Sequence, residues 1–255
     1  MAKAAHEYGH HPGTPRWVSL MAHDLPLIQA YYGKLFGWDF RPGSAQLGCQ
    51  VRGFLGDREV VGLGVRDRGR HPGWMPYLGV PDAHATAGLI QQCGGTVAIG
   101  PVTVRGQGRV VIASDPSGAP FGVWQATEHS APEGEVRRDL VWLELVTWET
   151  RTVKHFYQEV FGYEQETDPD DPERLTLRAG GEAVAGVRGL GPHLPGERGA
   201  HWTVRFSVED VDETVRLASD LGGSVLRPPR ETGPDRKAVL ADPEGSPFSV
   251  GLPRV

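Results

Sequence analysis

The chain has 255 residues, a formal net charge of −6 and 39% hydrophobic residues, enough for two ordinary domains that each bury about two-thirds of their unfolded surface. The acidic balance argues against a nucleic-acid partner, which would call for a basic face, and no run approaches the roughly 20 apolar residues of a membrane helix. Two cysteines, Cys49 and Cys93, in mixed runs and the lack of a leader-like start point to a cytoplasmic protein without a disulfide framework.

Residues 1–15 read as a disordered tail. Within it His6-Glu7-Tyr8-Gly9-His10 matches the zinc-protease pattern His-Glu-x-x-His, which works only on a supported helix that sets both imidazoles on one face. Gly9, Pro12 and Gly13 deny it that helix, so the stretch is read as polar tail. His11 and His71, beside Pro and Gly, are read as solvated.

Residues 17–22 predict a strand. Asp24 is placed to cap a helix in which Leu25, Ile28, Tyr32 and Leu35 recur at helical spacing before Gly37 ends it. Strands follow between 46 and 65, then a polar loop over 66–73. A second round repeats the plan: a strand over 74–80, a helix capped by Asp82 and stopped by Gly94-Gly95, and strands closing at Trp124. A Glu-, Pro- and Gly-rich segment, 127–139, reads as a linker. Beyond it come a strand over 140–146, a helix over 150–161, strands between 175 and 187, a strand over 202–208, a helix over 210–221 and closing strands to Leu252. The stretches 164–174 and 190–200, acidic or rich in Pro and Gly, read as solvated loops or as lids over a cleft.

The two rounds on either side of the linker are copies of each other. Tyr31-Tyr-Gly-Lys-Leu-Phe-Gly-Trp38 returns as Phe156-Tyr-Gln-Glu-Val-Phe-Gly-Tyr163, Gly94-Gly95 as Gly222-Gly223, and the hairpin around Asp115-Pro-Ser-Gly118 as that around Asp242-Pro-Glu-Gly245. Three landmarks recur in one order at a spacing of roughly 125 residues, the mark of a duplicated domain. Pro presets φ and Gly tolerates positive φ in the Asp-Pro-x-Gly turns, so Asp115 and Asp242 are read as structural. The expected architecture is α+β: one domain over 16–126 and another over 140–255, each made of two βαβββ units in a curved, mostly antiparallel sheet with helices on its outer face.

This pattern resembles the vicinal oxygen chelate superfamily, the group of glyoxalase I, bleomycin-resistance proteins and extradiol dioxygenases. Residues 12–18, 114–125 and 142–145 look more closely like its tandem-domain branch, whose members carry glyoxalase-like or hydroxylase labels and often accompany antibiotic biosynthesis. Enzymes of the superfamily hold a divalent ion through His, Gln or Glu on the inner face of the sheet. The resemblance puts those positions near Trp17, within 60–65, near Met75 and at Gly122 in the first domain. In the second they fall at Val141 or Trp142, within 183–187, at Thr203 and at Ser249. None of these supplies a complete donor set for such an ion, so no cofactor is expected. A register slip of two would bring Glu144 and His201 inward, still short of a full set.

Without a metal, strand alternation leaves an aromatic pocket with a few polar groups, suited to a flat organic ligand. Its expected lining is Trp17, Ser19, Met21, Met75, Tyr77 and Trp124, with Trp142, Thr203, Arg205 and Ser249; for any one of the large side chains, plain core filling is an equal reading. Glu144 and His201 are the candidate catalytic pair, since inward titratable groups are rarely without a partner or a purpose; a structural ion pair is the alternative. Two functions remain open: a metal-free protein binding an aromatic, natural-product-like ligand in biosynthesis or self-resistance, and a cofactor-independent acid–base enzyme of secondary metabolism, as hydroxylase component, cyclase or isomerase. A metal-dependent glyoxalase or dioxygenase with displaced ligands stands third. The internal duplication suggests a monomer.

Overall fold

A computed structural model describes residues 11–43, 50–67, 73–104, 107–127, 141–169, 171–190, 199–232 and 235–252. His6, His10, Cys49, His71, all of the 127–139 linker but Thr127, and most of the 190–200 stretch lie outside them.

Four βαβββ modules follow one another. The first is β1 (Pro15–Ala22), α1 (Leu25–Phe36), β2 (Asp39–Pro42), β3 (Val51–Leu55) and β4 (Arg58–Val65); the second is β5 (Gly73–Gly79), α2 (Ala83–Gln92), β6 (Thr96–Val104), β7 (Gly108–Ser114) and β8 (Pro120–Ala126). The third is β9 (Val141–Thr147), α3 (Thr150–Phe161), β10 (Glu164–Asp168), β11 (Asp171–Ala179) and β12 (Glu182–Gly189); the fourth is β13 (His201–Ser207), α4 (Val211–Asp220), β14 (Ser224–Thr232), β15 (Asp235–Ala241) and β16 (Pro247–Gly251). Within every module the first strand pairs in parallel with the last, while the second, third and last form an antiparallel meander. The helix and the two hairpin strands supply the long crossover that a parallel pair requires. The fold is therefore α+β with a mixed, mostly antiparallel sheet.

Local chemistry sets the boundaries. The carboxylates of Asp24, Asp82 and Asp210 accept hydrogen bonds from backbone N–H groups of the first turns of α1, α2 and α4, each cap contributing about 1 kcal/mol. α1 and α3 both end on a glycine in the left-handed conformation, Gly37 and Gly162 at φ 70°, where a Cβ would be strained. Two elements differ from the sequence reading. The acidic stretch expected as a loop forms β10 and the start of β11, and the polar Asp39–Pro42 forms β2. Both β2 and β10 are outermost strands of their module ladders, where exposure removes the apolar alternation that reveals a strand. The reading of 1–15 as tail also changes at its end: Gly13 and Thr14 are buried, the Gly13 N–H donates to the Gly79 carbonyl at 2.7 Å, and the Tyr163 hydroxyl donates to the Gly13 carbonyl.

The compact units are not the sequence halves. One comprises Met1–Arg16, Pro76–Glu135 and Glu144–Trp202, and the other Trp17–Met75, Val136–Leu143 and Thr203–Val255; the second module thus packs with the third, and the first with the fourth. The repeated landmarks are what join them. In the unit of the first and fourth modules the Tyr32 hydroxyl donates to the Asp242 carboxylate at 3.2 Å, and the Tyr31 hydroxyl sits where Gly223 has no Cβ. The rings of Tyr32 and Phe36 on α1 pack edge-on or tilted against Phe248 and Phe206 of β16 and β13. In the other unit Tyr157 donates to Asp115 at 3.3 Å, Phe156 lies over Gly95 where a Cβ would come within 2.9 Å of its ring, and Tyr157 and Phe161 pack against Phe121 of β8. Each of these aromatic side chains is buried or nearly so, and burying one contributes about 1.5–3 kcal/mol.

Candidate functional site

Alternation along the first strand of each module separates two faces. On β13, Trp202, Val204 and Phe206 are buried, and Phe206 meets the α1 rings; on β5 the same face carries Trp74, which packs edge-on against Tyr32. The opposite face of these strands, with that of β1 and β9, carries the candidate residues, and parallel pairing with the last strand of the module fixes each one's neighbour.

In the unit of the first and fourth modules, Ser19 lies opposite Gly62 and Met21 opposite Gly64. Ser19 is fully buried, Trp17 and Met21 are half-buried, and the Ser19 hydroxyl has no hydrogen-bond partner. Met75 is buried. On β13, Arg205 is only 6% exposed, lies opposite Ser249 and runs alongside Gly251, where a Cβ would sit 3.5 Å from its Cδ. Thr203 donates from its hydroxyl to the Pro247 carbonyl at 3.4 Å. Trp142 is half-buried.

In the other unit, Tyr77 lies opposite Gly122 with its ring directly over that glycine, and is 1% exposed. Trp124 is buried and packs close to Gly108. Tyr77 and Trp124 therefore fill this strand pair rather than leave it open. Glu144 lies opposite Gly186, and its carboxylate is 3.2 Å from Nε of Arg188, with both side chains partly exposed. The sequence reading paired Glu144 with His201; the structure gives it Arg188, while Nδ1 of His201 is 2.9 Å from the Gly199 carbonyl and, against an acceptor-only oxygen, carries the proton there. Arg188 was legible only as the residue two beyond Gly186, on the same face.

Among the described residues, burial raises the pKa of two carboxylates. Burial pushes Asp242 from the ordinary 3.8 up to about 6, against the opposing hydrogen bonds from the Ser246 N–H, the Tyr32 hydroxyl and the Glu244 N–H. Burial likewise raises Asp115, opposed by its bonds to Ser117 and Ala119. Both lie at module junctions. They serve the fold, as the sequence suggested.

The architecture agrees with three comparisons. Residues 142–251 match the family described as a glyoxalase-like domain. Over 94% of this chain, an anthracycline biosynthesis protein, DauV, of Streptomyces sp. (strain C5) is 34% identical and covers 93% of its own length; another, DnrV, of Streptomyces peucetius is 32% identical with the same coverage. The fold matches the crystal structure of the 2,3-dioxygenase LapB from Pseudomonas sp. KL28 with a TM-score of 0.66 at 16% identity, over 96% of this chain and 94% of that one. The chain belongs to the glyoxalase-like proteins of the vicinal oxygen chelate superfamily. Within them its relatives include these two proteins of anthracycline biosynthesis.

Membership raises the superfamily's divalent ion, and the residues present do not fit it. The positions that the resemblance implies, near Trp17, within 60–65, near Met75 and at Gly122, and at Val141 or Trp142, within 183–187, at Thr203 and at Ser249, hold no His, Gln or Glu. Gly122 is roofed by Tyr77, and among the described residues no three of His, Cys, Asp and Glu come together. Also among the described residues, no helix is long and apolar enough to cross a membrane.

Proposed function

We propose that the protein binds a polycyclic aromatic natural product, in its biosynthesis or in self-resistance, through the aromatic and small side chains that replace the superfamily's metal ligands. What supports this reading is the donor set that the resemblance implies: Trp, Met and Gly, or Trp, Thr and Ser, at positions where imidazole or carboxylate would be needed. Aromatic and thioether surfaces with a few hydroxyls hold flat rings well. Kinship with two anthracycline biosynthesis proteins favours a fused-ring ligand of that type. Binding without turnover is preferred to acid–base catalysis because the Glu144 carboxylate is committed to Arg188 and is not held against His201.

The test is tryptophan-fluorescence titration with soluble anthraquinones, followed by mass spectrometry of the recovered compound. Saturable quenching with the compound returned unchanged supports the reading. A changed compound, lost on Glu144→Gln substitution, would move the protein to the acid–base enzymes. Absence of binding would overturn the ligand class.

A further inference from the structure

Ser19 is polar, fully buried and without a hydrogen-bond partner. Buried hydroxyls in folded proteins nearly always have a partner, so each exception calls for an explanation. Tyr31, Trp74, Gln107, Gln165, Arg188, Trp202 and Ser246 also hold unpartnered polar atoms, but the rings of Tyr31, Trp74 and Trp202 belong to the aromatic packing around the helices and Ser246 lies in the turn whose backbone N–H donates to Asp242. Ser19 points the other way, with Trp17 and Met21. At the register neighbours of Ser19 and Met21 the adjacent strand carries no side chain, since these are Gly62 and Gly64, both buried. β4 thus adds no side-chain atoms at two successive positions of that face, while half-buried Trp17 and Met21 flank the hydroxyl along β1. At the equivalent register in the third module, Glu144 opposite Gly186 has Arg188 Nε 3.2 Å from its carboxylate, an ion pair whose Nε makes no hydrogen bond. The same backbone thus presents an ion pair in one place and an unpartnered hydroxyl beside two glycines in the other.

We infer that Ser19 is the hydrogen-bonding anchor for a ring oxygen, carbonyl or hydroxyl, of a planar fused-ring ligand that lies on the Gly62–Gly64 strip between Trp17 and Met21. This deepens the aromatic-ligand reading and rests on it. A flat ligand suits a strip without side chains, and an oxygen at its rim would meet the hydroxyl. A neutral hydroxyl selects carbonyl or hydroxyl groups without requiring a charge.

A matched pair of probes tests this with the full-length protein: anthraquinone sulfonate and anthracene sulfonate share shape and charge and differ in the two ring carbonyls. Calorimetric titration of wild type, Ser19→Ala and Ser19→Thr is read for both. The expected result is that Ser19→Ala weakens anthraquinone sulfonate about three- to tenfold, the worth of one neutral hydrogen bond. Anthracene sulfonate should bind both proteins alike, and Ser19→Thr should retain the wild-type preference. Equal weakening of both probes, or of neither, would overturn the anchor while leaving aromatic binding intact. Failure of wild type to bind either probe would overturn the aromatic-ligand reading itself. Unchanged thermal unfolding of the Ala variant separates lost binding from lost fold.

Discussion

The two halves of the duplicated chain share a backbone and differ in what that backbone presents. Tyr77 opposite Gly122 and Arg205 opposite Ser249 occupy the same register in the second and fourth modules, as Ser19 opposite Gly62 and Glu144 opposite Gly186 do in the first and third. On the helix side the halves agree: an aromatic over a glycine, a tyrosine bonded to a turn aspartate. On the other side they part, into an apolar, glycine-rich set in the first half and a polar one in the second. Assembly holds the shared residues fixed because modules must fit one another. The divergent residues are free of that constraint, and specificity is to be sought among them.

The sharpest way to break the shared side is at its tyrosines. Tyr32→Ala and Tyr157→Ala each remove a fully buried ring and a hydrogen bond to an aspartate, and urea unfolding should show losses of about 3–5 kcal/mol for either. The corresponding Phe variants lose only the hydroxyl and should cost about 1 kcal/mol. A small loss from Tyr157→Ala alone would show that the two junctions are not equivalent.

Next in size is the pH dependence of the Asp242 junction. Its folded pKa, about 6, lies above the ordinary 3.8, so the folded state holds the proton more tightly. The stabilising contribution is complete below pH 4 and is lost as pH rises through 6. Relative to Asp242→Asn, wild type should therefore lose about 2–3 kcal/mol between pH 4 and 7, measured as the difference in unfolding free energy at each pH. Asp115→Asn should deviate in the same direction, since burial raises that carboxyl too.

A third prediction compares the divergent sides directly. Gly122→Ala places a methyl into the Tyr77 ring and should cost about 1–3 kcal/mol through overpacking. Ser249→Ala, at the same register in the other half, should stay within about 0.5 kcal/mol. The smallest effect is expected from Glu144→Gln. The Arg188 pair is partly exposed and such pairs contribute no more than about 1 kcal/mol, so thermal unfolding should shift little and ligand titration not at all.

Much of the shared side was legible in the sequence because it obeys local rules. The aspartate caps, the glycine stops at 37 and 162 and the α3 boundaries follow from residue type and spacing, and the repeated landmarks showed the duplication. Their purpose was not legible. That Tyr32 meets Asp242 rather than Asp115 depends on which modules pack together, and a contact spanning some 200 residues leaves no trace in a local pattern. β2 and β10 were missed for a different reason: outermost strands such as Glu164–Asp168 carry polar residues on both faces. At the candidate site, alternation placed Ser19, Tyr77, Glu144 and Arg205 at one parity, and the register puts them at equivalent positions of the four modules, but parity is silent about neighbours. It could not tell that Tyr77 roofs Gly122, that Arg188 holds Glu144, or that Ser19 is left without a partner.

The most direct test of the central claim, an aromatic ligand held where the superfamily holds a metal, is elemental analysis of untagged protein joined to anthraquinone sulfonate titration before and after exhaustive chelation. The account predicts substoichiometric metal and superimposable binding curves. A stoichiometric divalent ion whose removal abolishes binding would contradict it.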